Sequence, residues 1–184
     1  MAAECQCPRI NLAQWKDREV SLAGQRFLAA PTPMLFHIPR RLREDLEGLA
    51  GQIDGVRYRL HGSPMVLHRD GWFAGEVLIS VDQAASDSPG VRSFQNLFYS
   101  RVVEKPGFDA ALRQMPGFYR DLRTAQIGRI MAMYFWYLNC PGCLLEHGAK
   151  RIILLAQSSR VLAMSACTGP LGPSTRGQFV PCGV

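Results

Sequence analysis

Two closely spaced cysteine pairs place the strongest constraint on how this chain can fold. Cys5 and Cys7 stand in "ECQCP" near one end. Cys140 and Cys143 stand in "YFWYLNCPGCLLEHG", where an aromatic strand runs into a Cys-x-x-Cys and then into a helix. A tetrahedral metal takes four soft ligands, commonly as two pairs from distant parts of a chain. A shared ion would therefore pin an otherwise loose N-terminal arm onto the body of the molecule. Two other readings compete with this one. The second pair alone fits a redox couple of the thioredoxin type at a helix N-terminus, or an iron–sulfur cluster. Alternatively, the two pairs are unrelated thiols, one in an arm and one at a turn. A structural zinc on Cys5, Cys7, Cys140 and Cys143 is favoured, because a redox couple leaves the first pair without a role. The iron–sulfur cluster is the less favoured cofactor. His147 could replace one ligand, but it reads better as a surface residue near the end of a short helix. Cys167 and Cys182 have no close partners and are left out of the site.

A chain of 184 residues fits one domain, or two small halves sharing a core. There is no apolar run near 18 residues and no basic segment leading into an apolar core, so neither a membrane span nor a secretory signal is expected. A reducing cytoplasm is then the default location, and there clustered cysteines favour metal or redox chemistry over disulfides. The net charge of +6 raises the question of nucleic acid. The basic residues are scattered, however, and the densest cluster, "PRRLRED", is diluted at once by acids. The charge reads as solvated surface; nucleic acid is not expected, and self-association is left open.

Residues 1–24 read as an extended arm. In "FLAAPTPMLFHIP", Met34 to Ile38 can form a strand, and Pro39 suits the first turn of a helix. Leu42, Leu46, Leu49 and Ile53 then fall on one helical face. Strands are expected near Val56–Leu60 and Trp72–Val81, with a short extended piece at Pro64–His68 between them. "DQAASDSPG" reads as a loop. The pattern then recurs: "FQNLFYSRVVEKP" as a strand, "GFDAALRQMPGFYRDL" as a helix kinked or split at Pro116, and "IGRIMAMYFWYL" and "RIILLAQ" as buried strands. Both halves read strand–Pro–helix–strand–strand. The predicted fold is α+β, two strand–helix–strand–strand halves around a mostly antiparallel sheet. One domain spans 1–157 (arm 1–24, half one 25–82, half two 91–157), and 158–184 forms a poorly ordered tail.

Glu76 is the carboxylate of interest, because it interrupts an apolar strand. Strand alternation puts it on a face with Trp72, Leu78 and Ser80. Burial beside an indole would make it a general acid or base; the alternative is an edge-strand glutamate facing water. Tyr134 and Trp136 share one face of the long strand, and Phe135 and Tyr137 share the other. His37, His61 and His68 are scattered over three segments and match no metal signature. No phosphate loop, Gly-x-Ser-x-Gly or His-Glu-x-x-His is present.

On "CQCP", the Trp15 segment, "FHIP" and "YFWYLNCPGCLLEHGAKRIILLAQ", the chain resembles a bacterial family of predicted hydrolases. The resemblance covers most of residues 5–157, and its specific part is the paired CxCP and CPxC. It implies a hydrolytic reaction without assigning residues. The two-half pattern also looks like the gyrase-inhibitory-protein-like effector-binding domains, which hold small organic molecules between pseudo-symmetric halves. Some of those domains hydrolyse their ligands with a cleft glutamate and aromatic residues. By that analogy Glu76 would be catalytic, with Trp72, Tyr134 and Trp136 binding substrate. The expectation is therefore a small-molecule hydrolase with an apolar cleft. The alternatives are a non-catalytic small-molecule binder and a zinc-stabilised interaction module.

Overall fold

The computed structural model describes Cys7 and residues 9–53, 64–81 and 90–161. A single 3-10 turn, Leu12–Trp15, comes first. It is followed by β1 (Arg18–Ser21), β2 (Arg26–Leu35), β3 (Ile38–Pro39), α1 (Leu42–Gln52), β4 (Val66–Arg69), β5 (Ala74–Val81), β6 (Val91–Ser93), β7 (Asn96–Val102), α2 (Phe108–Thr124), β8 (Ile130–Tyr137), α3 (Pro141–His147) and β9 (Ile152–Val161). The fold is α+β. The strands form one sheet in the order β1-β7-β9-β8-β4-β5-β2-β3, with β6 on β2, and the pairings are antiparallel.

The order shows how two similar halves share the sheet. In one, β2–α1–β4–β5 pairs as β4-β5-β2. In the other, β7–α2–β8–β9 pairs as β8-β9-β7. The strand after each helix lies at the centre, so β4 and β8 join the halves with Leu67 opposite Trp136 and His68 opposite Phe135. Side chains of period two then supply both faces. Val66, Val77, Ile79, Phe135, Tyr137, Ile152 and Leu154 face α1 and α2, where Leu46, Leu49, Phe118 and Leu122 cover them. Leu67, Leu78, Tyr134, Trp136, Ile153 and Leu155 face the other way, into a layer completed by Trp15, Leu22, Phe27, Phe94 and Phe98. Over Tyr134–Tyr137 both alternating sets of β8 are therefore core, which explains the aromatic run there.

The second layer corrects the expectation of an extended arm with neither helix nor strand. Residues 12–15 coil into a turn capped by the Asn11 side chain, and β1 pairs with β7 over Arg18–Ser21. Arg101 on β7 binds Asp17 at 2.6 Å. The order comes from burial: Trp15 packs edge-on against Trp136 with centroids 4.6 Å apart, and Leu22 is fully buried. The tail boundary also moves, because β9 continues past Gln157 to Val161 and pairs with Ile130 and Asn96. The expected strand at 34–38 is instead the end of β2 and a reversal at Phe36 and His37, both at positive φ (48° and 73°). Pro31 and Pro33 sit inside β2 because their positions turn the missing N–H towards the outer side of the strand, away from β5. Pro116 does not split α2; it lies on the exposed side, and Phe118 and Leu122 hold the second half of the helix to the sheet. The strand expected at Val56–Leu60 and the residue His61 lie outside the described residues. Among the described residues, no helix is long and apolar enough to cross a membrane.

His68 is fully buried at this central junction. Its ring stacks on Phe135 at 5.5 Å, its Nδ1 lies 3.3 Å from the Tyr137 hydroxyl, and its Nε2 lies 3.2 Å from the Met34 sulfur. Burial disfavours the imidazolium and lowers its pKa from 6.5 to about 3. Below pH 6.5 the unfolded chain takes up a proton that the folded chain refuses until about pH 3. Stability therefore falls as pH falls through that window, by about 1.4 kcal/mol per unit at most. Urea unfolding should show a loss of about 2 kcal/mol between pH 6.5 and 4.5 that is absent in His68→Leu. An identical pH slope in the variant would assign the loss elsewhere.

Candidate functional site

The first site is built where β8 ends. Leu138 and Asn139 turn the chain, with Leu138 N–H bonded to Arg151 O (3.0 Å) and Asn139 Oδ1 accepting from Lys150 N–H (3.2 Å). Cys140 then caps α3 in an extended conformation, as the residue before a proline prefers, and Pro141 opens the helix. One helical turn brings Cys143 onto the same side as Cys140. Arg43 of α1 donates to Leu145 O at 2.6 Å and ties α3 to the body.

Cys7 completes the group. Its sulfur lies 3.8 Å from the Cys140 sulfur and accepts the Cys140 N–H at 3.3 Å. The sulfurs of Cys7, Cys140 and Cys143 lie within 4.8 Å of one another, and together they can hold a metal ion. The spacing has a chemical meaning. A disulfide would need about 2.05 Å. Two thiolates on a tetrahedral zinc, each about 2.3 Å from the metal, lie about 3.8 Å apart. Cys5, the fourth expected ligand, lies outside the described residues. His147 is not part of the group; it is half exposed at the end of α3 and lies 3.5 Å from Glu146.

The second site is a cleft where the two halves meet, on the face away from α1 and α2. It encloses about 370 Å³ and is lined by Arg69, Glu76, Arg92, Ser93, Phe94, Met131, Ala132, Tyr134 and Gln157. Arg69 stands opposite Glu76 across the β4–β5 hairpin and opposite Tyr134 across the central junction. Glu76 is not an edge residue facing water, since its side chain is only 15% exposed. Arg92 Nη2 donates to its Oε1 at 2.5 Å, and Arg69 Nη1 to its Oε2 at 3.5 Å. The Tyr134 hydroxyl donates to Gln157 Oε1 (3.2 Å), whose amide donates to Asn96 Oδ1 (3.0 Å). Burial pushes the Tyr134 pKa up to about 12; Arg69 opposes the shift and Glu76 reinforces it. The phenol therefore stays a proton donor at neutral pH.

The structure brings Glu76 and Tyr134 together in this cleft but not the two tryptophans. Trp72 precedes β5, in the turn after Arg69. It is 60% exposed there and packs against Phe36 and His37 instead of sharing a face with Glu76. Trp136 lies under Trp15, 1% exposed, and does not line the cleft. The lining also differs from the apolar cleft expected, since three charged side chains contribute to it. His37 is bound to Asp70 at 2.9 Å and lies outside the lining. Arg69 and Arg92 were not singled out from the sequence. The "RDG" turn, which places position 69 opposite 76, was a usable signal for Arg69. Arg92 had none, because β6 reaches the cleft only by pairing with β2.

The sequence profile of a family described as "Bacterial hydrolase" matches residues 1–158. No curated protein sequence matches the chain. No solved structure matches it either.

Proposed function

We propose that this chain, which belongs to the bacterial hydrolase family, hydrolyses a small organic ester or amide in the cleft between its two halves, with Glu76 as general base. The observation that carries this reading is the largely buried carboxylate facing a cavity large enough for a small ligand, beside a phenol that stays protonated. An ionised carboxylate offers about four lone-pair sites, so the two guanidinium contacts leave room to accept a proton from water. Water attacks the acyl carbon as Glu76 takes its proton, and the developing oxyanion meets Arg and Tyr134 donors. The leaving group departs with the proton returned by Glu76. The cysteine group is assigned to a structural zinc, outside the chemistry. The support for this is that the contact of Cys7 with Cys140 ties the N-terminal segment to the loop after β8, and that none of Cys7, Cys140 and Cys143 lines the cleft.

Steady-state hydrolysis of a panel of small 4-nitrophenyl esters and anilides tests this directly. Saturable turnover well above the buffer rate is expected. Tyr134→Phe should lower kcat about tenfold while KM moves little, because the phenol serves the developing oxyanion more than the ground state. No turnover across the panel, with the same compounds binding in the cleft, would leave a non-catalytic binder. That second reading draws on one observation, the engagement of both Glu76 oxygens by arginine.

A further inference from the structure

We infer that the cleft selects substrates bearing one anionic substituent, a carboxylate or a phosphate, which Arg69 and Arg92 hold. The inference rests on the reading of this cleft as the substrate site and adds the chemical class of what enters it. The lining carries two guanidinium groups and one carboxylate, and its remaining residues are uncharged. Glu76 thus neutralises one arginine and leaves an excess of one positive charge, in a recess with less water than the open surface.

The donors are also in surplus. A guanidinium has five N–H groups, and among the described residues each arginine directs one to Glu76, at 3.5 Å from Arg69 and 2.5 Å from Arg92. Their planar forks can offer a second edge to a carboxylate or phosphate. Both arginine side chains are about half exposed (44% and 56%), so they can turn towards a ligand without disturbing the core. Met131, which is exposed, and Ala132 line the cleft beside the edges of Phe94 and Tyr134 and offer an apolar surface for the body of the molecule. The match is a compact acyl compound with an apolar body and one anionic end.

Calorimetric titration with benzoate, phenyl phosphate and benzamide tests this without relying on turnover. At least one anion should bind the wild-type protein about tenfold tighter than neutral benzamide, a difference of about 1.4 kcal/mol. Glu76→Gln should widen the gap by removing a like charge, and Arg92→Gln should close it. Raising salt should weaken anion binding and leave benzamide unchanged. Equal binding of all three probes, or an anion preference that survives in Arg69→Gln/Arg92→Gln, would overturn the inference. Anion-selective binding without hydrolysis of any ester would uphold it and sink the hydrolase reading instead.

Discussion

Glutamine in place of Glu76 is expected to lower kcat/KM about 10²–10⁴-fold, the usual contribution of a positioned general base. The substitution keeps the side chain's shape and one acceptor oxygen but removes the charge that draws the proton from water. It also releases Arg69 and Arg92 from their ion pairs. Substrate binding should therefore survive, and for an anionic substrate it should tighten. The loss should fall on kcat, with KM unchanged or lower, as for an interaction made in the transition state. The fold should tolerate the change, because Glu76 contributes no apolar packing to either core layer. Turnover within a factor of two of wild type would remove Glu76 from the reaction.

Serine in place of Cys140 should remove the proposed zinc and part of the fold together. Metal near one equivalent in the wild-type protein should fall below a tenth, since a serine hydroxyl is neither soft nor ionised at neutral pH. The structural consequence follows from what Cys7 does. Its contact with Cys140 is the long-range anchor for a segment whose next buried residue is Trp15. Without it, the 3-10 turn and β1 are held by the aromatic layer, the pairing with β7 and the ion pairs of Asp17 and Glu19 with Arg101 and Arg160. A destabilisation of about 3 kcal/mol or more is expected, or roughly 6–12 °C in midpoint for a chain of this size. Because Trp15 covers Trp136, tryptophan emission should shift to the red at temperatures where the wild type is still intact. Chelation of the wild-type protein should reproduce both effects. A metal-free wild-type protein with an unshifted midpoint would remove the clamp.

The two sites were legible from the sequence to different degrees. The thiol group was readable because its logic is local. Cys140 and Cys143 are spaced for one side of a helical turn, Pro141 announces that helix, and soft donors have few other uses in such a pair. Even the long-range step to Cys7 needed only ligand counting. The cleft was harder to read. Glu76 stood out as a carboxylate in an apolar strand, but the choice of neighbours went wrong where the strand began. With β5 starting at Ala74, Trp72 falls in a turn and projects into solvent. Trp136 lay on the expected face, yet that face carries a second core layer, and Trp15 arrives from far away in sequence to cover it.

By itself, the sequence determined the α+β class, the repeat of strand, helix and two strands, the buried face of α1 and the grouping of the cysteines. Each follows from the period of apolar residues or from a ligand preference carried by a few adjacent side chains. Only the tertiary structure decided that the cleft would be charged. That depends on strand register: β4 on β5 sets Arg69 against Glu76, β4 on β8 adds Tyr134, and β6 on β2 delivers Arg92. A shift of one residue in any of these pairings would turn those side chains to the opposite face, and pairing partners far apart in the chain leave no local pattern to read.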